Sequence, residues 1–356
     1  MSFPFQYSGF PFASINRGIG SIGGWKELGR AILGSPSDTI TVDSLPNKRF
    51  YMVLTDARGG GTNLTTAYRF GNGTADSGNN YSRRRQPNGG TDDLATSQAA
   101  LYFGAEISAT NFYQVGYVPN FATEEKSIIS HRVYQNTLGA GTAPNRMEFT
   151  GKWDNATNVI DVIQNFNDES GSYDTGSELV VLGYDPADVH TDNFWEPLLS
   201  GGNPIILGSA GDNLDTGTFA TKKYLWVQGL LINSGAIDCA YRFNSDSGTN
   251  YCRRVNINGS ESTAIDETYT PVNLGNSYNQ YFNMFIINNS AQEKLVIGRN
   301  AGVASSGAGT APDKRIFNTK WVNTSNQINK ITFSNTFFGS AGDYDVGSLI
   351  NVWGHD

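Results

Sequence analysis

Apolar and polar residues alternate with a period of two over several short stretches. Ile237, Cys239, Tyr241 and Phe243 alternate with Asp238, Ala240, Arg242 and Asn244. One face is apolar and the other mostly polar, the pattern of a half-buried strand. Met147, Phe149 and Trp153 alternate in the same way with Glu148, Thr150 and Lys152. Apolar runs at 50–55, 112–118, 179–182, 224–230 and 281–287 predict further strands. Tyr68-Arg69-Phe70 leads through a loop into Asp76-Ser77-Gly78-Asn79-Asn80-Tyr81-Ser82-Arg83-Arg84, and the same wording returns from Tyr241 to Arg254. Asp-Ser-Gly is a turn signal, because Gly allows positive φ and the Asp side chain bonds the backbone ahead. A hairpin is the expected element in both places.

The recurrence extends well beyond this stretch. Ile32-Leu33-Gly34-Ser35 matches Ile206-Leu207-Gly208-Ser209, and Glu125-Lys126 matches Glu293-Lys294. Gly139-Ala140-Gly141-Thr142-Ala143-Pro144 is repeated word for word from Gly307 to Pro312, and Lys152-Trp153 returns as Lys320-Trp321. Repeats this long predict a duplicated domain, since solenoid units are far shorter. The expected organisation is an N-terminal aromatic arm over 1–24, a first repeat over 25–185, a link over 186–194 and a second repeat over 195–356. Many short strands separated by Gly/Asn/Ser turns predict an all-β chain: two tandem antiparallel β-sandwiches of jelly-roll type. So short a link predicts that the two pack against each other. Trp153 and Trp321 are expected as core anchors.

Composition agrees with this class. The chain holds 41 Gly, 12% aromatic and only 16% charged residues. The net charge is −8 and the pI about 5.0, which disfavours nucleic acid as a partner. The basic run Arg83-Arg84-Arg85 reads as a solvated strand edge. Cys239 and Cys252 are expected to be free thiols of a chain folded in a reducing cytoplasm, with a diagonal disulfide as the alternative. No leader and no stretch of membrane-spanning length is read, so neither export nor membrane insertion is expected.

Catalytic patterns are sparse. His131, His190 and His355 do not recur between the repeats, and no Gly-x-Ser-x-Gly elbow occurs. Glu148 lacks a counterpart carboxylate, since Ile316 stands at the matched position. Asp38/Asp212, Asp76/Asp246, Asp174/Asp345 and Asp185/Asp356 do recur and read as turn formers. The loop 76–80 lacks the dense ligand spacing of a calcium loop. The Gly59-Gly60-Gly61 run lacks the Lys-Ser/Thr of a phosphate loop. Neither an enzyme nor a cofactor or metal site is expected.

Taken together, the Trp-Lys-Glu-Leu start at Trp25, the Tyr-Arg-Phe and Asp-Ser-Gly stretch, Gly-Ala-Gly-Thr-Ala-Pro and Lys-Trp-x-Asn resemble repeat modules of virion structural proteins of marine tailed bacteriophages. The resemblance spans nearly all of 25–356, although the second repeat departs from it at Trp195-Glu196-Pro197. It implies a structural component of the virion, a capsid decoration or tail- or fibre-associated protein made in the host cytoplasm, with other virion proteins and copies of itself as partners. Phe3, Phe5, Tyr7, Phe10 and Phe12 are then candidate assembly contacts, in an arm that either folds back on its own domain or docks on a neighbour. The alternative is a lectin-like module binding a host-surface glycan or receptor. Tyr81, Arg83 and Arg84, with Tyr251, Arg253 and Arg254, are its candidate surface, on the expectation that both tyrosines are exposed. Glycan hydrolysis through Glu148 is the third reading.

Overall fold

A computed structural model describes residues 24–60, 64–106, 110–186, 188, 193–233, 237–273, 279–303, 307–338 and 342–356. The aromatic-arm candidates Phe3, Phe5, Tyr7, Phe10 and Phe12, and the link residues His190 and Asp192, lie outside these. The described chain is all-β apart from one 3-10 turn at Thr336–Phe338. No described helix is long and apolar enough to cross a membrane.

The strands form two antiparallel sandwiches. The larger sheet of the first runs, edge to edge, through Lys26–Ile32, Glu178–Tyr184, Phe50–Arg58, Asn111–Pro119, Lys126–Tyr134, Asn145–Trp153, Tyr81–Pro87 and Asp93–Gln98. Its smaller partner runs through Thr39–Val42, Val162–Asn167 and Leu64–Asn72, with Leu101–Glu106 and the short Thr74–Ala75 also on the last strand. The second sandwich has the same order. Its larger sheet runs Glu196–Pro197, Leu349–His355, Tyr224–Leu231, Gln280–Ile287, Lys294–Gly302, Asp313–Trp321, Tyr251–Ile257 and Ser260–Glu267. Its smaller sheet runs Asn213–Asp215, Ile331–Ser334, Cys239–Phe243 and Thr270–Asn273. Even an irregularity coincides. The strand pairs Tyr81–Pro87/Asp93–Gln98 and Tyr251–Ile257/Ser260–Glu267 each shift register once, beside a residue of positive φ, Ser97 or Asp266.

Each sandwich encloses its own core, one around Tyr51, Phe103, Phe149 and Trp153, the other around Phe243, Phe282, Phe317 and Trp321. Both tryptophans are fully buried, as expected. A third apolar cluster lies between the sandwiches. Met52, Leu54, Tyr113, Val115, Val180 and Leu182 from the first meet Trp195, Tyr224, Phe285, Ile287, Leu295 and Trp353 from the second. Alternate residues of the strands Phe50–Arg58 and Glu178–Tyr184 therefore enter different cores, Val53 and Val181 inward, Met52 and Val180 outward. A sheet covered on both faces needs apolar residues at consecutive positions, which accounts for the runs at 50–55 and 179–182.

The predicted hairpin is corrected. Leu64–Asn72 and Cys239–Phe243 lie in the smaller sheets, whereas Tyr81–Pro87 and Tyr251–Ile257 lie in the larger ones. The stretch is a corner between sheets, and Cys252 pairs with Lys320 and lies in a different sheet from Arg242. Period two marks a half-buried strand and is silent about which neighbour it pairs with. The corner is held from within. Asp76 accepts hydrogen bonds from Gly78 N (2.8 Å), Asn80 Nδ2 (2.8 Å) and Trp153 Nε1 (2.7 Å). Asp246 does the same for Gly248 N (2.9 Å), Asn250 Nδ2 (2.9 Å) and Trp321 Nε1 (2.7 Å). Burial raises each carboxyl pKa, but these donors outweigh it and hold both below the usual carboxylate range. Asp76→Ala removes the acceptor of the Trp153 indole and should cost about 2 kcal/mol, the usual worth of a hydrogen bond to a charged group. Urea denaturation checks this. In a cycle with Trp153→Phe the two losses should not add.

Candidate functional site

The two corner tyrosines are not exposed, which corrects that expectation. Tyr81 and Tyr251 are buried in the two cores. The Tyr81 hydroxyl accepts from Phe70 N (3.0 Å) and lies within hydrogen-bonding distance of Phe70 O (3.0 Å) and Asp76 O (2.9 Å). Tyr251 makes the matching set with Phe243 N, Phe243 O and Asp246 O. A phenol buried at a corner satisfies itself on backbone left outside the strand ladders. Neither ring is available to a ligand.

The arginines that follow divide by strand alternation. Arg83 is largely covered and pairs with Asp93 (3.2 Å). Arg253 is half-buried, and burial lowers its pKa. Arg84 and Arg254 lie on the opposite, outer face of the larger sheets, and Arg254 sits in the junction between the sandwiches. There the 135–146 segment of the first sandwich, carrying Gly-Ala-Gly-Thr-Ala-Pro, lies across the second. Arg254 Nε donates to Pro144 O (2.9 Å), Cys252 Sγ to Thr142 O (3.2 Å) and Asp266 N to Ala140 O (3.2 Å). Lys320 Nζ donates to Thr137 O (2.6 Å). Glu293 accepts from Gly139 N (2.7 Å) and Gln135 Nε2 (2.5 Å). At the base of the segment Arg146 reaches Glu261 through Nε (3.0 Å) and Nη2 (2.9 Å). A forked guanidinium–carboxylate pair of this kind is both strong and directional. The hairpin thus turns its backbone carbonyls toward donors of the other sandwich.

Further along the junction Lys223 of the second sandwich inserts between Asp56 (3.1 Å) and Glu178 of the first, while Asn289 donates to Asp56 (2.8 Å) and Arg30 to Glu178 (2.5 Å). Burial pushes the Asp56 carboxyl pKa up, against the pull of Lys223 and Asn289. For Lys223 burial lowers the pKa, and the two carboxylates more than offset it, so the net shift is upward. Breaking such a pair leaves an uncompensated charge in an apolar seam. Arg299 Nη2 lies 3.0 Å from both ring nitrogens of His131 and 3.0 Å from Glu148 Oε1. Glu148 is therefore an ion-pair partner of Arg299 across the junction.

The matching features elsewhere are open. Gly307 to Pro312, identical in wording to the docked hairpin, is exposed throughout, whereas Ala140, Ala143 and Pro144 are buried. Lys320 and Glu293 are 0% and 4% exposed beneath the docked hairpin, while their counterparts Lys152 and Glu125 pair at 2.7 Å with 50% and 42% exposure. Ile297 is 6% exposed and its counterpart Ile129 is 55%. A cleft of about 310 Å³ lies here, lined by Ser82, Arg84, Leu94, Thr150 and Lys152 among others. A larger groove, about 470 Å³, lies on the outer face of the second sandwich at the edge of the junction. Trp226, Tyr281, Gln228, Asn283, Arg299 and Tyr117 are among its lining residues. Trp226 stacks on Phe285 (centroids 5.4 Å apart) and donates to Asn283 Oδ1 (2.6 Å).

Among the described residues no group of His, Cys, Asp and Glu is placed to hold a metal ion. Cys239 and Cys252 are free and buried, and burial pushes both thiols up to about 12. The residues that build the junction, Arg146, Glu261, Lys223 and Asp56, are not repeated as identical residues in the sequence. Glu293 and Lys320 are, as is the Gly-Ala-Gly-Thr-Ala-Pro hairpin, but recurrence alone does not say what a landmark touches.

No family model matches the chain, and no curated protein matches it. Among solved structures, domains LG4-5 of the mouse laminin alpha1 chain align at 8% identity over 98% of this chain and 93% of that one, with a TM-score of 0.19. The transport unit of the autotransporter AIDA-I from Escherichia coli aligns at 11% identity over 81% and 90%, with a TM-score of 0.09. At such scores neither alignment carries an argument about this chain.

The junction gives a pH dependence with a definite sign. Burial first, then the guanidinium groups of Arg299 and Arg146, push the His131 pKa down to about 3. An unfolded histidine titrates near ~6.5. Above that value the ring is neutral in both states. Between ~6.5 and 3 the unfolded chain takes up a proton that the folded chain refuses, so stability falls as pH drops. His355 is shifted in the same direction. His131→Gln should flatten, without abolishing, the fall of melting temperature from pH 6.5 to pH 4. An unchanged slope would refute the assignment.

Proposed function

We propose that the chain is a structural component of a tailed-phage virion and works through subunit contacts. The observation that carries this reading is the junction. It combines an apolar seam, a hairpin that gives its carbonyls to the facing sheet, and ion pairs shielded from water. Such a seam holds two sandwiches as one rigid block, the kind of unit that suits repeated placement on a symmetric particle. The phage resemblance supplies the particle. The chain should co-purify with intact virions at a fixed copy number through density-gradient banding. Deleting residues 1–24 should leave the melting curve of the sandwiches unchanged and abolish incorporation. Normal incorporation of the truncated chain would remove the arm from the assembly contacts.

A second reading is favoured by the larger groove. An aromatic platform flanked by amides and a guanidinium is the usual make-up of a sugar-binding surface. On this reading Trp226 and Tyr281 stack on a host glycan and Gln228, Asn283 and Arg299 bond its hydroxyls. These residues replace the buried Tyr81 and Tyr251 in that role. Tyr281 is 49% exposed, so Tyr281→Ala should then abolish binding on a glycan array while the melting temperature moves little. An array on which the native chain binds nothing removes this reading.

A further inference from the structure

The junction inside the chain is a template for a contact between chains. We infer that copies of this protein associate head to tail, the exposed Gly307–Pro312 hairpin of one copy docking on the open outer face of the first sandwich of the next. This rests on the structural reading above and names its partner, a second copy.

The two surfaces correspond position by position. In the internal junction the giving element is the Gly139–Pro144 hairpin, and the receiving face presents Cys252, Arg254, Glu261, Glu293 and Lys320. The giving element is present again, with the same six residues, and is exposed. The receiving face is also present again. Strand register places Ser82 where Cys252 stands, Arg84 where Arg254 stands, and Asp92 where Glu261 stands. Glu125 and Lys152 take the places of Glu293 and Lys320. Each of these five side chains of the receiving face thus has a chemical equivalent on the open face. The Ser82 hydroxyl replaces a thiol donor, and a second carboxylate stands at 92. The cation at the base of the hairpin is kept too, as Lys314 for Arg146, and Lys314 is exposed. Apolar area remains on the receiving face at Phe50 and Ile129, in the places of Tyr224 and Ile297.

The match is incomplete in an informative way. The giving face of the first sandwich carries Met52, Leu54 and Val115, whereas the second has Trp226, Gln228 and Asn283 at the equivalent register. The contact between copies is therefore wetter than the internal one and correspondingly weaker. It is also heterologous, because the two faces are different surfaces. Such contacts do not close at a dimer; they build rings or open chains.

The test uses the full chain in sedimentation velocity over a range of concentrations at low salt. The expected result is a weight-average mass that climbs with concentration past the dimer and falls back in high salt. Lys314→Glu and Asp92→Lys each place like charges across the contact and should each weaken association by about tenfold. The double variant restores opposite charge and should regain most of the loss. Both side chains are exposed, so unchanged melting temperatures serve as the folding control. A chain that stays monomeric throughout, or a dimer indifferent to both substitutions, overturns the inference. The virion reading is decided separately. A chain monomeric in solution but present on particles at fixed copy number sinks this contact and leaves that reading standing, and self-association without any co-purification does the reverse.

Discussion

The architecture depends on covering one sheet twice. The larger sheet of the first sandwich has apolar side chains on both faces, and its inner face is satisfied by the smaller sheet. The outer face, with Met52, Leu54, Tyr113 and Val180, would otherwise be a contiguous apolar patch of the kind soluble proteins rarely leave open. Covering it with the second sandwich fixes where Tyr224, Phe285 and Trp353 must lie. That in turn carries the Gly139–Pro144 hairpin onto Arg254 and Lys320. The polar contacts then set register and direction along a seam whose driving force is apolar.

The buried charges have a similar logic. Lys223 between Asp56 and Glu178 gains little over an apolar filling of the same volume, because all three groups lose water. What it contributes is discrimination. A sandwich displaced by one strand would strand a lysine or a carboxylate in the seam, which is far costlier than a lost apolar contact. The forked Arg146–Glu261 pair does the same at the other end of the junction. Two such points suffice to fix one rigid body against another.

Fold class was legible from period-two patterning and turn composition because both report local geometry. The identity of the corner was not. In Tyr241-Arg242-Phe243 and Tyr251-Cys252-Arg253 the alternation is equally good for a hairpin and for a step between sheets, and only long-range pairing with Ile331–Ser334 and Asp313–Trp321 separates them. The burial of Tyr81 and Tyr251 follows from that step, since a corner turns the following residue inward. The same limit applied to the candidate surface. Arg84 and Arg254 stand at matching register, yet their difference, one open and one bridged to Pro144, is invisible to any reading that treats the repeats as equivalent.

That difference is the most informative property of the chain. The two surfaces carry equivalent donors, acceptors and charges at matching register, and the plainest difference between them is whether a hairpin is within reach. The second sandwich finds one because a short link delivers it, at an effective concentration no free partner matches. The first sandwich is left with Lys152 and Glu125 paired to each other at the surface, an arrangement of little value to stability in water. In the seam the same pair is worth more, because Lys320 there also meets Thr137 O and Glu293 meets Gly139 N. On the inference above, Lys152 and Glu125 are half of a contact whose other half lies on a second copy.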